Sequence, residues 1–245
     1  MITELHRDGP VPLYYQLKQL IKEQISQDRL YLPDTRIPGE EELASTYRVS
    51  RMTARQAITE LVNEGVLYRR AGKGTFVSRP KIERKLARLT GYFEEMTARG
   101  LQPGTKVLGE SLVEAGREVS SLLDLRPGNK VIQIFRLRLA DGEPMALQTV
   151  HIPYERCPNL VNDDLTHASL YQLLEQKYGL KLSHAQEQIA TVTASRQQAT
   201  LLAIPKDAPL LQIQRLTFLD SGVPIEYVES FYRADRYVYT VMLYR

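Results

Sequence analysis

SRMTARQAITELVNEGVLYRRAGKGTFVS, residues 50–78, combines the pattern of a capped helix with that of a short β-hairpin. Ser50 is a good N-cap for the helix. Apolar residues then recur along one helical face, at Ala54, Ala57, Ile58, Leu61 and Val62. Gly65 is suited to the left-handed position that ends a helix. The β-rich stretches VLYRR and TFVS lie on either side of a turn that contains two glycines, which predicts a hairpin.

Two further helices are predicted ahead of this stretch. Apolar residues at helical spacing, followed by Leu32-Pro33, predict a first amphipathic helix, with Leu13, Leu17, Leu20, Ile21 and Ile25 on its buried face. A second short helix is predicted after Pro38, and Arg48-Val49 predicts a tight turn. Helix, short helix, turn, capped helix and hairpin in this order indicate a winged helix-turn-helix domain.

The net charge of +3 is an average over two unlike parts of the chain. Eleven basic and three acidic residues lie between Arg48 and Arg88. On charge alone, a polyanionic partner and a solvated basic surface are equally good explanations. On the third helix, Met52 and Gln56 point away from the apolar stripe. The candidate DNA-binding residues are Ser50, Arg51, Thr53, Arg55, Gln56, Lys73, Gly74 and Thr75.

The pattern changes after a charged, apolar-poor stretch, residues 80–88 (PKIERKLAR), which we interpret as a linker. Long alternating strands separated by short helices follow it. Two segments resemble each other at a constant offset, so that Gln133, Ile134 and Arg136 match Gln212, Ile213 and Arg215. The sequence therefore predicts an α+β protein: a DNA-binding domain at residues 1–79, the linker at 80–88, and a duplicated α/β domain with an antiparallel sheet at 89–245.

Several classes of protein are disfavoured by what the chain lacks. No apolar run approaches the length of a membrane span, and the N-terminus has no apolar signal region. Cys157 is the only cysteine, and the four histidines show no metal-ligand spacing. Nucleotide-binding and hydrolase motifs are missing. We therefore expect a cytoplasmic protein that is not an enzyme and uses no cofactor, metal or membrane.

Arg136 and Arg138 are two residues apart on a predicted strand, so both side chains leave the same face. Two guanidinium groups facing a core require an anionic partner. Spacing alone leaves open whether that partner is an internal carboxylate, which it slightly favours, or a small anionic ligand.

The stretch at residues 50–78 strongly resembles the winged-helix domain of GntR-type bacterial transcription regulators, and the likeness runs through residues 10–79. It implies operator contacts at the positions of Ser50, Arg51, Thr53 and Arg55, and entry of Gly74 into the minor groove. The chain departs from the family at Glu41, where an arginine that contacts DNA is common. Affinity or specificity at that operator position is expected to differ.

The segments LTGYFEEMTARGL, RLRLADGEPMA, HIPYE, ASLYQLL and FYRADRY resemble the UTRA effector-binding domain of the HutC branch of the same family. The likeness implies a fold similar to chorismate lyase. It is strongest to repressors of amino-sugar catabolism that sense glucosamine 6-phosphate or N-acetylglucosamine 6-phosphate. It also implies an effector site, in which Glu226 and Tyr232 bind the sugar and the anion is held by Thr90, Gly91, Tyr92, Arg136, Arg138, Ser169 and Tyr171.

Relatives commonly carry a glutamate at the position of Gln148, which is expected to weaken binding of a cationic amino sugar. The resemblance predicts a homodimeric repressor that binds a palindromic double-stranded operator and responds to a small phosphorylated effector. The alternatives are a regulator that senses another anion, such as a carboxylate, a phosphonate or a different sugar phosphate, a lyase-like enzyme fused to a DNA-binding domain, and an architectural DNA-binding protein in which Arg136 and Arg138 are structural.

Overall fold

A computed structural model describes residues 5–7, 9–26, 30–70, 72–79, 81–85 and 88–243, with Lys85 described by its backbone only. It divides the chain into two compact units, Met1–Lys81 and Ile82–Arg245. Within the described residues, no helix is both long and apolar enough to span a membrane.

The first unit contains three helices followed by a two-stranded hairpin. These elements are α1 (Leu13–Ser26), α2 (Glu40–Thr46), α3 (Arg51–Asn63), β1 (Leu67–Arg70) and β2 (Gly74–Val77). The Ser50 side chain caps α3 by accepting a hydrogen bond from the Thr53 backbone N–H at 3.0 Å. Gly65 ends the helix with a φ of 72°. The predicted winged helix-turn-helix order is confirmed.

The core of the first unit is formed by the apolar faces of the helices. Leu17 and Ile21 of α1 pack with Ala54, Ile58 and Leu61 of α3, and all five are fully buried. An ion-pair cluster reinforces this contact, because Lys18 Nζ reaches Glu60 at 2.6 Å and Glu64 at 3.0 Å. The apolar stripe of the sequence is therefore the face that holds α3 in place, which leaves its opposite face exposed.

The second unit is built on long strands. Its elements are β3 (Ile82–Lys85), α4 (Tyr92–Ala98), β4 (Pro103–Glu114), α5 (Arg117–Leu122), β5 (Lys130–Ala140), β6 (Glu143–Pro153), α6 (Leu170–Gln172), β7 (Leu182–Thr193), α7 (Arg196–Leu202), β8 (Pro209–Leu219), β9 (Pro224–Arg233) and β10 (Tyr237–Thr240). Short 3₁₀ turns lie at Tyr154–Arg156 and Leu160–Asn162, and a π-helical turn at Leu173–Lys177 continues α6.

Six of these strands form one antiparallel sheet in the order β4-β5-β6-β9-β8-β7. Its two halves, β4-β5-β6 and β7-β8-β9, meet where β6 pairs with β9, with Val150 opposite Val228. Each half places a short helix between its first two strands, α5 in one and α7 in the other. The starts of the two helices, and of the first two strands in each half, are separated by the same stretch of chain that separates Arg136 from Arg215. The internal duplication predicted from the sequence is confirmed.

The predicted linker contains a strand. β3 pairs in parallel with β10, and Ile82 lies opposite Tyr237. Ile82 and Arg84 are buried in spite of the charged character of the segment. The reason is that Glu95 and Glu187, both distant in sequence, each approach the Arg84 guanidinium at 3.3 Å.

Alternation along β5 assigns its residues to two layers. Leu137 and Leu139 pack with α7, whereas Ile134 packs with α6 and Ala140 packs with α4. Arg136 and Arg138 share the face of Ile134 and Ala140. The fold therefore places both arginines between the sheet and the layer formed by α4 and α6.

Candidate functional site

The exposed face of α3 carries the side chains predicted to read DNA. Arg51, Arg55 and Gln56 are exposed, and Met52 between them is 68% exposed. The hydroxyls of Ser50 and Thr53 lie 2.8 Å apart at the start of the helix. This surface is polar and cationic on a firmly packed helix, which is the geometry that major-groove recognition requires.

Two glutamates of α2 face Arg51 in the structure. Arg51 Nη1 lies 2.9 Å from Glu41, and Arg51 Nε lies 3.7 Å from Glu40. Glu41 is the residue that stands where the family commonly has an arginine. Its carboxylate therefore neutralises a predicted DNA-binding residue instead of adding a second cation.

The hairpin presents Lys73 and Thr75 on either side of Gly74. Gly74 has a φ of 113°, and a Cβ at this position would lie 2.8 Å from Arg36 Nε. A larger residue would strain the backbone at this φ, and the Arg36 side chain would have to move away. Arg36 is exposed and is not among the predicted site residues. Its single basic charge in a loop gives no sequence signal, because the contact depends on an antiparallel bridge between Arg36 and Phe76.

In the second unit, one pocket contains all nine residues of the predicted effector site. Its wall is formed by Thr90, Gly91, Tyr92, Arg136, Arg138, Ser169, Tyr171, Glu226 and Tyr232, together with residues that the sequence does not predict. They come from α4, β5, α6 and β9 and from the residues that precede the two helices. Ser169 caps α6 by accepting from the Gln172 N–H at 3.3 Å. The free cavity is small, about 30 Å³.

Arg136 is the least satisfied group of the pocket. Its side chain is 2% exposed, and neither Nε nor Nη1 has a hydrogen-bond partner among the described residues. Burial, together with the nearby charge of Arg138, holds the pKa of Arg136 well below its ordinary value. The internal ion pair that spacing slightly favours is absent from the described contacts. A buried guanidinium with open donors requires an anion.

Arg138, two residues along the same strand, is held by neutral groups. Its Nε donates to Gln148 Oε1 and its Nη1 donates to Thr105 Oγ1, both at 2.6 Å. The guanidinium also lies over the Tyr92 ring at 4.9 Å. Gln148 completes its hydrogen bonding by donating to Ser230 Oγ and Tyr232 Oη, each at 3.2 Å. This end of the pocket is polar, but Gln148 is neutral where relatives commonly have a glutamate.

The opposite end of the pocket contains a buried carboxylate. Glu226 Oε2 accepts hydrogen bonds from Tyr171 at 3.0 Å and from Thr217 at 2.9 Å. Burial raises the pKa of Glu226, while these hydrogen bonds and Arg136 oppose the shift. Tyr171 in turn accepts from Arg215 Nη1 at 3.1 Å. Glu226, Tyr171 and Arg215 thus form one hydrogen-bonded chain at this end of the pocket.

Two further arginines line the pocket and are not among the predicted residues. Arg215 is paired with Glu187 at 2.6 Å, and Arg84 with Glu95 and Glu187 at 3.3 Å. The repeat could have identified Arg215, because it matches Arg136 in the second copy. Arg84 has no such signal, since it lies within a run of charges that resembles a solvated linker.

Two of the histidines and the cysteine take structural positions. His151 stacks on Tyr227 with ring centroids 5.9 Å apart, and His184 stacks on Phe218 at 4.9 Å. Cys157 is fully buried in the apolar cluster under β5 and β6. The described part of the chain holds no group of three metal-ligating side chains.

Comparison with known proteins relates both units to one class of regulator. The model for "Bacterial regulatory proteins, gntR family" matches residues 13–77, and the UTRA domain model matches residues 98–238. The HTH-type transcriptional repressor NagR of Bacillus subtilis is 38% identical over 96% of each chain. The histidine utilization repressor of Pseudomonas putida is 31% identical over 86% of this chain and 84% of its own.

A solved structure supports the same assignment. PhnF from Mycobacterium smegmatis superposes with a TM-score of 0.68 at 28% identity, covering 93% of this chain and 99% of PhnF. The fold class predicted from the sequence is confirmed. Both curated relatives are named as repressors, which favours a regulator over the alternative of a lyase-like enzyme.

Proposed function

This chain belongs to the gntR family of bacterial regulatory proteins and is a transcription regulator, not an enzyme, and we propose that a small phosphorylated sugar controls its binding to a palindromic operator. In this proposal the protein is a cytoplasmic homodimeric repressor. In it, residues 1–79 bind DNA and the second unit binds the effector, with strand β3 of the predicted 80–88 linker packed into that unit. Dimerisation pairs two winged-helix domains with two operator half-sites.

The observation that carries the proposal is the unpartnered guanidinium of Arg136. A phosphate group offers several acceptor oxygens and up to two negative charges, which match the open Nε and Nη1 donors. Arg138 and Ser169 lie in the same pocket and are proposed to share the anion. The backbone amides of Thr90, Gly91 and Tyr92 add further donors.

The neutral side chain of Gln148 limits which amino sugars suit the pocket. Its side-chain amide is fixed by Arg138, Ser230 and Tyr232, so it presents a neutral polar surface. An ammonium group at this end would meet no counter-ion at Gln148, whereas an acetamido group or hydroxyls would be well solvated. This supports N-acetylglucosamine 6-phosphate over glucosamine 6-phosphate. The 38% identity with the repressor NagR supports the repressor part of the proposal.

The DNA-binding role rests on α3 and the hairpin. Arg51, Arg55, Gln56 and Thr53 are proposed to contact bases or phosphates, with Ser50 positioning the start of the helix. Lys73, Gly74 and Thr75 are proposed to approach the minor groove from the hairpin. Glu41 is proposed to reduce affinity at the base step next to Arg51, because it repels phosphate.

The test is a titration of the full-length protein with a small panel of ligands. N-acetylglucosamine 6-phosphate, glucosamine 6-phosphate, glucose 6-phosphate and inorganic phosphate are compared with unphosphorylated N-acetylglucosamine by calorimetry and thermal shift. A ligand present at about 100 times its Kd adds about 2.7 kcal/mol of stability. We expect the N-acetylated sugar phosphate to bind most tightly and to release operator DNA. The sugar-phosphate proposal is wrong if no phosphorylated sugar binds, and saturable binding of a carboxylate or phosphonate would then favour the alternative effector class.

A further inference from the structure

The carboxylate of Glu94 already engages one of the proposed anion-binding groups. Glu94 lies on α4, and its Oε1 accepts a hydrogen bond from Ser169 Oγ at 2.6 Å. Ser169 is buried, and its hydroxyl carries one proton. An effector oxygen can accept a hydrogen bond from this hydroxyl only when Glu94 no longer accepts it.

The second oxygen of this carboxylate is buried and unsatisfied. Glu94 Oε2 has no hydrogen-bond partner among the described residues. It lies over Gly91, in the space that a Cβ would fill at that position. A half-satisfied buried carboxylate is costly, so this arrangement is poised to change when a better anion arrives.

The free cavity of the pocket, about 30 Å³, is far smaller than an ordinary small-molecule site of about 300–1,000 Å³, so side chains must move when an effector binds. The open donors of Arg136 and the open acceptor of Glu94 do not meet each other. Glu94, beside the pocket, therefore engages Ser169 without making a hydrogen bond to Arg136.

We propose that Glu94 is an internal competitor of the effector, whose anionic group displaces the Glu94 carboxylate from Ser169. Glu94 thereby determines the affinity for the effector, and its release changes the contact between α4 and the start of α6. This inference rests on the proposed function, because it concerns the same pocket.

The experiment measures calorimetric affinity of the full-length protein for N-acetylglucosamine 6-phosphate and for inorganic phosphate. Glu94→Ala removes the competitor and is expected to bind both about tenfold more tightly, which corresponds to about 1.4 kcal/mol of binding free energy. Glu94→Asp keeps the charge but is one methylene too short to reach Ser169. It is also expected to bind more tightly than the parent protein.

The control is Glu114→Gln, which removes an equal charge from an exposed site at the end of β4 and is expected to leave affinity unchanged. Melting curves and operator binding verify that each variant folds. Unchanged or weaker binding by Glu94→Ala, with the parent protein binding normally, overturns the inference alone. If neither the parent nor the variants bind any phosphorylated compound, the proposed function fails and the inference fails with it. Tighter binding by Glu94→Ala with parent-like binding by Glu94→Asp would show long-range repulsion and would likewise overturn displacement.

Discussion

Replacing Arg136 with methionine is expected to stabilise the ligand-free protein and to abolish its response to the effector. Methionine is similar in length, apolar and flexible, so it can fill the space of the arginine stem. It removes a guanidinium that is 2% exposed and has two unpartnered nitrogens. Arg136 thus lowers the stability of the ligand-free protein, and it is also the residue on which ligand recognition depends.

The size of the effect follows from those two nitrogens. An unsatisfied buried polar group costs about 1–3 kcal/mol, and a buried ion costs several kcal/mol after relaxation. Allowing for imperfect packing of methionine, we expect about 2 kcal/mol of stabilisation. In a domain of this size, about 2 kcal/mol corresponds to a rise in Tm of roughly 4–8 °C.

Arg138→Met is the matched control, because Arg138 has the same strand, face and burial but is fully engaged. Its removal leaves Gln148 and Thr105 without the donors that bind them at 2.6 Å. We expect this variant to lose about 2–4 kcal/mol, so the two substitutions should shift Tm in opposite directions. The assay is calorimetric unfolding with and without N-acetylglucosamine 6-phosphate. A destabilised Arg136→Met, or one whose Tm still rises with ligand, would refute the reasoning.

Four further outcomes are expected. Arg55→Ala should weaken operator binding by about 1–3 kcal/mol and relax one base position in a selection experiment, and unchanged specificity would contradict it. Glu41→Gln should tighten operator binding by up to about 1 kcal/mol by freeing Arg51, whereas Glu42→Gln on the same helix should not. Burial raises the pKa of Cys157 to about 12, so a thiol reagent at about pH 8 should label it only after unfolding. Burial lowers the pKa of His151 below 6.5, so this histidine should make stability fall as pH drops below that value, and His151→Gln should show a smaller loss of Tm between about pH 7.5 and 5.5.

The first unit is predictable because its signals are local. The spacing of Leu17 and Ile21, the cap at Ser50 and the left-handed turn at Gly65 each act within a few residues. Ser50 and Gly65 mark where α3 begins and ends. What remains hidden in the sequence is Arg36, whose position against Gly74 depends on a contact across the hairpin.

The second unit is predictable from the sequence only where its two repeats can be compared with each other. Strand length, helix position and the face of Arg136 follow from the pattern. Strand β3 does not, because its partner β10 lies at the opposite end of the unit in sequence and its buried cation is neutralised by carboxylates from α4 and β7. From the sequence alone, the charged segment around Arg84 resembles a solvated linker, because the carboxylates that face it come from distant parts of the chain.

The repeat also explains why one arginine of the pocket has no carboxylate partner whereas its counterpart has one. Arg136 and Arg215 occupy matching positions on β5 and β8. On the second repeat, Glu187 of β7 lies directly opposite Arg215 and pairs with it at 2.6 Å. The residue that matches Glu187 on the first repeat is Leu108, at a β-bulge where β4 faces Arg136 with Val107. A strand that supplied a carboxylate there would satisfy Arg136 internally and leave nothing for a ligand to neutralise. The missing acid on β4 therefore distinguishes the anion-binding position of Arg136 from the structural ion pair of Arg215.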